Sequence, residues 1–154
     1  MAADNASFDI NEGHTFFSTE AYNYTWEFME QADSRSPEED LTMLHSAIAS
    51  LWHWSQREDV SPANLAVGYW QVSRVFNLLQ QPGNARMYGL LSLKYAEDQD
   101  PFFKAYAYET LARAEMLEGK RASMNEYLEK ARAMTKLIKQ EYQHLLLRDL
   151  ASIK

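Results

Sequence analysis

The residues that decide the fold run from 101 to 131 and read PFFKAYAYETLARAEMLEGKRASMNEYLEKA. Asp100 and Pro101 indicate a helix start, because aspartate can accept a hydrogen bond from a free backbone N–H and proline has none to leave unpaired. Gly119 follows the helical pattern and is typical of a left-handed helix terminator. The stretch therefore predicts two helices, 101–118 and 120–138, which pack antiparallel because their connection is short.

The rest of the chain repeats these signals. Ser36-Pro37 and Ser61-Pro62 mark further helix starts, and Gly83 is interpreted as a second left-handed terminator. The apolar residues recur at helical spacing and do not alternate as in strands. The other predicted helices are 17–31, 37–57, 62–81, 84–98 and 140–152. The predicted fold class is all-α, with about seven helices in antiparallel pairs.

Length and composition favour one domain. The 154 residues suit a single core, so we predict a single α-helical domain at 15–154. Residues 1–14 are predicted to form a mobile N-terminal tail. The chain has no cysteine, which excludes disulfides and Cys-rich zinc sites. The start carries Asp4 and Asp9 without a basic residue, and no run of 18 apolar residues occurs. We expect a cytoplasmic protein with no membrane partner.

The charge is unevenly distributed. The net charge of -7 argues against a nucleic-acid partner, because phosphate binding requires an excess of Lys and Arg on one face. Residues 1–60 carry -10, residues 61–119 carry -1, and residues 120–154 carry +4. These charges fit ordinary solvated helix faces, or complementary contact between the ends of two copies in a homodimer.

Placing Gly83 over Gly119 gives an offset of 36 and predicts an internal repeat. The clearer copy has large, small and turn residues in the order of a tetratricopeptide repeat: Tyr108, Leu111, Ala112, Gly119, Leu128 and Ala131. The chain therefore resembles the tetratricopeptide-repeat superfamily, with its best repeats at about 69–100 and 105–138. The segments 70–75 and 105–114 also look like an uncharacterised bacterial group of such proteins. The resemblance implies a right-handed superhelix of antiparallel helix hairpins.

In this superfamily the first helix of each pair lines a concave surface that binds a peptide or a partner helix. The residues that this resemblance and the offset of 36 place on the surface are Trp70, Ser73, Asn77, Tyr106, Glu109 and Arg113. Glu109 and Arg113 are four residues apart, which favours an ion pair along one helix. That pair is either ordinary surface chemistry or a means of holding Arg113 ready for a carboxylate on a bound peptide.

A second region combines His45 with Trp52 and Trp54. His45 and Trp52 share a helix face, so a tryptophan-lined pocket for a small ligand or a reaction is one interpretation. The alternative is packing of the tryptophans on neighbouring helices. The sequence carries no nucleophile elbow, calcium loop or phosphate-binding glycine motif. We therefore predict a non-enzymatic, peptide- or protein-binding adaptor without metal or cofactor, with a homodimeric assembly protein as the alternative.

Overall fold

A computed structural model describes residues 7–31 and 34–154. The described residues form seven helices and no strand, which confirms the all-α prediction. The helices are α1 (Ile10–Met29), α2 (Pro37–Gln56), α3 (Pro62–Leu78), α4 (Pro82–Ala96), α5 (Pro101–Leu117), α6 (Arg121–Thr135) and α7 (Gln140–Ala151). None of the described helices is long and apolar enough to cross a membrane.

The first helix begins earlier than predicted. The Asp9 carboxylate accepts a 2.9 Å hydrogen bond from the Glu12 N–H and caps α1, so the helix starts at Ile10 and not at residue 17. Residues 10–14 of the predicted tail therefore belong to α1, while residues 1–6 lie outside the described residues.

The starts of α2 and α5 agree with the local capping signals. Ser36 accepts from the Glu39 N–H at 3.2 Å, and the Glu39 side chain accepts from the Ser36 N–H at 2.7 Å, which completes a capping box. Asp100 accepts from the Phe102 N–H at 2.9 Å. The predicted separation of the last two helices, 120–138 and 140–152, is confirmed, because α6 and α7 are distinct helices.

The chain divides into two compact units, Met1–Ser61 and Pro62–Lys154. The predicted single domain, 15–154, thus contains one hairpin and one larger helical array. The first unit is the α1–α2 hairpin, whose seam combines the apolar Phe28, Met43 and Ala47 with short polar side chains. In this seam, Ser50 Oγ donates to the Ser18 carbonyl at 2.8 Å, and Thr25 Oγ1 lies 2.8 Å from Ser46 Oγ. Such short side chains allow the two helices to approach closely.

The second unit is a helical repeat with a spacing of 39 residues. Helices α3, α5 and α7 begin at Pro62, Pro101 and Gln140, which are 39 residues apart. Helices α3 and α5 have 17 residues each, and α4 and α6 have 15 each. The left-handed residues, Gln80 with φ 58° and Gly119 with φ 71°, are 39 apart as well. The predicted offset of 36 is therefore wrong.

The error has a clear physical origin. Gly83 lies in the first turn of α4, so it does not terminate a helix, and Gln80 takes the left-handed position after α3. Both helix ends then form the same motif, in which the Gln81 N–H donates to the Phe76 carbonyl and the Lys120 N–H donates to the Glu115 carbonyl, each at 2.9 Å. The conformation repeats although the residue type does not.

Tyrosine pairs follow the same spacing. The rings of Tyr69 and Tyr88 lie 6.1 Å apart between α3 and α4, and those of Tyr108 and Tyr127 lie 6.1 Å apart between α5 and α6. Each residue of the second pair is the counterpart of one in the first under a shift of 39. The second unit therefore stacks two equivalent hairpins, α3–α4 and α5–α6, and α7 follows on α5, so that α3, α5 and α7 form one side of it.

Candidate functional site

Polar and aromatic side chains meet where α3, α5 and α7 pack together, and Glu109 on α5 is at the centre. The Glu109 side chain is 1% exposed, yet it carries a carboxylate. Its oxygens accept a hydrogen bond from Trp70 Nε1 at 3.4 Å and another from Arg113 Nε one turn along α5. The Arg74 Nε lies 3.8 Å from the same carboxylate. Two arginines and one indole therefore surround one buried acid.

Helix α7 completes this cluster. Tyr106 on α5 donates its hydroxyl to Asp149 Oδ2 at 2.9 Å. Arg113 Nη2 donates to the Asp149 carbonyl at 3.1 Å and to Ser152 Oγ at 2.9 Å. Burial raises the pKa of Tyr106, and the nearby Asp149 charge raises it further, so the phenol stays protonated and remains a donor. The alternating charges of Arg74, Glu109, Arg113 and Asp149 are called the charge ladder below.

Arg74 differs from Arg113, although the two are counterparts in the 39-residue repeat. The Arg74 side chain is 18% exposed, and its 3.8 Å ion pair with Glu109 is longer than a hydrogen bond. Among the residues that the structure describes, no acceptor forms a hydrogen bond with its guanidinium N–H groups. Burial lowers the pKa of Arg74, the Glu109 charge opposes this, and an arginine stays charged at neutral pH.

Four of the six predicted surface residues come together in this cluster: Trp70, Tyr106, Glu109 and Arg113. Trp70 and Tyr106 are partly exposed, and their rings meet edge to face at 5.7 Å. Glu109 is buried, so its predicted place on an open surface is wrong. Arg113 is also committed to contacts within the fold, because Glu109 accepts from its Nε, and Asp149 and Ser152 accept from its Nη2.

The remaining two residues, Ser73 and Asn77, are buried between helices, so their prediction as surface residues is wrong. Ser73 Oγ donates to the Ala85 carbonyl and lies 2.7 Å from Thr110 Oγ1. Asn77 Nδ2 donates to the Thr110 carbonyl and hydroxyl, each at 3.0 Å. The offset of 36 aligned these residues with Glu109 and Arg113, whereas the true spacing gives Glu109 and Arg113 the counterparts Trp70 and Arg74.

The alternative pocket does not form as predicted, because His45, Trp52 and Trp54 do not converge. The Trp54 ring packs under the Arg57 guanidinium, whose Cζ lies 3.9 Å from the ring centroid. Trp52 is exposed, and its ring packs edge to face with that of His14 of α1, with the ring centroids 5.3 Å apart. His45 is exposed on α2. His45 and Trp52 therefore share an exposed side of α2, Trp54 lies on another side, and the three do not line a common cavity.

A histidine pair lies in the same hairpin. His14 Nδ1 and His53 Nδ1 are 2.8 Å apart, so one ring donates and the other accepts. Burial lowers the pKa of His53, and the nearby His14 lowers it further. The sequence pattern missed this pair because residue 14 fell in the predicted tail. Within 7–31 and 34–154, no three His, Asp or Glu side chains form a group that could hold a metal ion.

Comparison of the chain with family models, curated proteins and solved structures finds no match. The tetratricopeptide resemblance therefore stays a prediction based on residues 105–131. The 39-residue spacing is longer than the repeat of about 34 residues typical of that superfamily.

Proposed function

We propose that the second unit is a non-catalytic binding module that holds a peptide or protein segment on the α3–α5–α7 side. Arg74 carries this proposal, because its charged guanidinium is partly exposed and lacks a hydrogen-bonded acceptor among the described residues. A planar guanidinium binds a carboxylate through two parallel hydrogen bonds. The expected ligand therefore carries a side-chain or C-terminal carboxylate.

The aromatic neighbours supply the apolar part of the contact. Trp70 and Tyr106 are partly exposed, and tryptophan, tyrosine and arginine are enriched among residues that dominate binding energies. Trp70 is held by Glu109 and Tyr106 by Asp149, so both rings are fixed before a ligand arrives. Fixed side chains lose little conformational entropy on binding, which favours affinity.

The surrounding charges favour an acidic ligand at one end of the site. Arg113 is already hydrogen-bonded to Glu109 and to α7. Arg74 forms only an ion pair with Glu109, in which Nε lies 3.8 Å from the carboxylate. An incoming carboxylate could bond Arg74 without breaking an existing hydrogen bond. A basic ligand would gain no equivalent contact there, since Glu109 is buried.

A phage-displayed library of random 12-residue peptides tests this proposal directly. Selected peptides should carry Asp, Glu or a free C-terminus next to an apolar residue. Their affinity should fall at least about tenfold for Arg74→Gln, which corresponds to about 1.4 kcal/mol. Arg132→Gln is the matched control, because Arg132 is an exposed arginine on α6 and its substitution removes the same charge.

Two results would contradict the proposal. The first is that selection enriches no peptide above an unrelated helical protein, and the second is that the enriched peptides bind wild type and Arg74→Gln equally. Circular dichroism of each variant must match wild type, so that a lost affinity reports on the contact and not on unfolding.

A further inference from the structure

Helix α2 carries an apolar stripe on the side opposite its seam with α1. The stripe is defined as Leu41, His45, Ile48 and Trp52, and its three apolar members are between 40% and 56% exposed. At about 100° per residue, all four point to one side, away from the buried seam residues of the same helix. Those seam residues are Met43, Ala47 and Ser50. An exposed apolar stripe at helical spacing is typical of a helix-pairing surface.

The spacing of the stripe is symmetric. Its members are separated by four, three and four residues, so reversing the helix direction reproduces the same pattern. In an antiparallel pair of α2 helices related by a two-fold axis, Leu41 of one copy would therefore face Trp52 of the other, and His45 would face Ile48. A two-fold interface requires this kind of self-complementarity.

The charges of α2 favour the same arrangement. Residues 41–52 contain no Asp, Glu, Lys or Arg, so no charge interrupts the stripe. The first turn is acidic, with Glu38, Glu39 and Asp40, whereas the last turn contains no acid, and Arg57 pairs with Asp59 in the Arg57-Glu58-Asp59 segment that follows it. An antiparallel pair places the acidic turn beside the C-terminal turn of the second copy. A parallel pair would bring the two acidic turns together, which like-charge repulsion opposes.

From these features we propose that a second copy of this chain docks on the α2 stripe in an antiparallel, two-fold arrangement. The stripe covers about 16 Å of helix, at about 1.5 Å per residue. A two-helix contact of that length lies at the low end of specific interfaces, below about 1,200 Å². The dimer is therefore reversible and concentration-dependent.

Sedimentation equilibrium of the full chain measures this association. We expect a monomer–dimer equilibrium whose dissociation constant rises at least about tenfold in Ile48→Asp. Leu90→Asp is the matched control, because Leu90 on α4 is 47% exposed and lies outside the stripe. A monomer at all concentrations overturns the proposal and leaves the stripe to another occupant. A dimer that survives Ile48→Asp, or that Leu90→Asp weakens equally, also overturns it.

Cysteine cross-linking tests the register even if Ile48→Asp fails to fold. The chain has no cysteine, so Leu41→Cys and Trp52→Cys each introduce a single thiol. Under mild oxidation, a mixture of the two variants should form the mixed disulfide. Neither variant alone should link efficiently, because identical positions would lie about 16 Å apart along the axis. Efficient self-linking of Leu41→Cys indicates a parallel pair, and absence of the mixed disulfide indicates another contact; either result overturns the proposal.

Discussion

The Tyr106 hydroxyl lies 2.9 Å from Asp149 Oδ2, and this hydrogen bond links α5 to α7. Helix α7 also buries Leu146 and Leu150 in the core of the second unit. We expect Tyr106→Phe to lower the free energy of unfolding by about 1 kcal/mol, because it removes a hydrogen bond to a charged, partly exposed acceptor. The amide protons of α7 should exchange faster, by the factor that corresponds to this loss of free energy.

Hydrogen-exchange mass spectrometry checks this expectation. Tyr142→Phe is the control, since it removes a hydroxyl from an exposed tyrosine of α7 itself. Equal exchange rates in the two variants would show that the bond to Asp149 does not stabilise α7.

The charge ladder predicts a large difference between two glutamates. Glu109→Gln should destabilise the protein by about 2–3 kcal/mol, because it removes the buried charge that Arg113 and Arg74 face. Glu126→Gln should cost less than about 0.5 kcal/mol, because the pair of Glu126 with Lys130 is solvent-exposed. Urea unfolding followed by circular dichroism measures both. A Glu109→Gln value below about 1 kcal/mol would be inconsistent with a structural role for the buried carboxylate.

Two glycines of α4 should respond to alanine with opposite signs. A Cβ at Gly89 would lie 2.9 Å from Leu111 Cδ2 and 3.3 Å from Ser73 Oγ, so Gly89→Ala should destabilise by about 1–3 kcal/mol. A Cβ at Gly83 would meet nothing within 4 Å, so Gly83→Ala should stabilise by about 0.4–1 kcal/mol. Thermal unfolding compares the two, and a shift of the same sign would contradict the packing of α4 on α5.

The two left-handed helix ends give a further pair of opposite effects. Gln80→Gly should stabilise by about 1 kcal/mol, because glycine adopts φ 58° without the steric cost of a Cβ. Gly119→Ala should destabilise by about 1 kcal/mol for the same reason at φ 71°. Chemical denaturation measures both changes. A destabilising Gln80→Gly would mean that the glutamine side chain offsets the backbone cost.

The histidine pair predicts a pH dependence. The pKa of His53 is lowered in the folded hairpin, so the folded state binds fewer protons than the unfolded state. The stabilisation is then complete above the unfolded pKa of about 6.5 and is lost as the pH falls below it. Melting temperatures at pH 7.5 and 5.5 should differ less for His53→Gln than for wild type. His144→Gln, at an exposed position on α7, should retain the wild-type difference.

The local sequence was sufficient for the helix starts at Pro37, Pro62 and Pro101. Capping depends on a side chain and backbone N–H groups two or three residues away, so the signal and the structure lie in the same short segment. The helix starts therefore followed from residues close in sequence. The sequence also placed Trp70 and Tyr106 on one side of the fold, since both lie on the first helices of neighbouring pairs, although the offset of 36 that related them was wrong.

The tertiary structure alone decided which of the predicted site residues are accessible. Ser73 and Asn77 are buried because Thr110 of α5 packs against them, and Arg113 is occupied because α7 brings Asp149 and Ser152 to it. None of these contacts lies within one helix turn, so periodicity in a single helix does not report them. Local sequence determined the helix starts at Pro37, Pro62 and Pro101, whereas the packing of one helix on another decided which side chains remain free to bind.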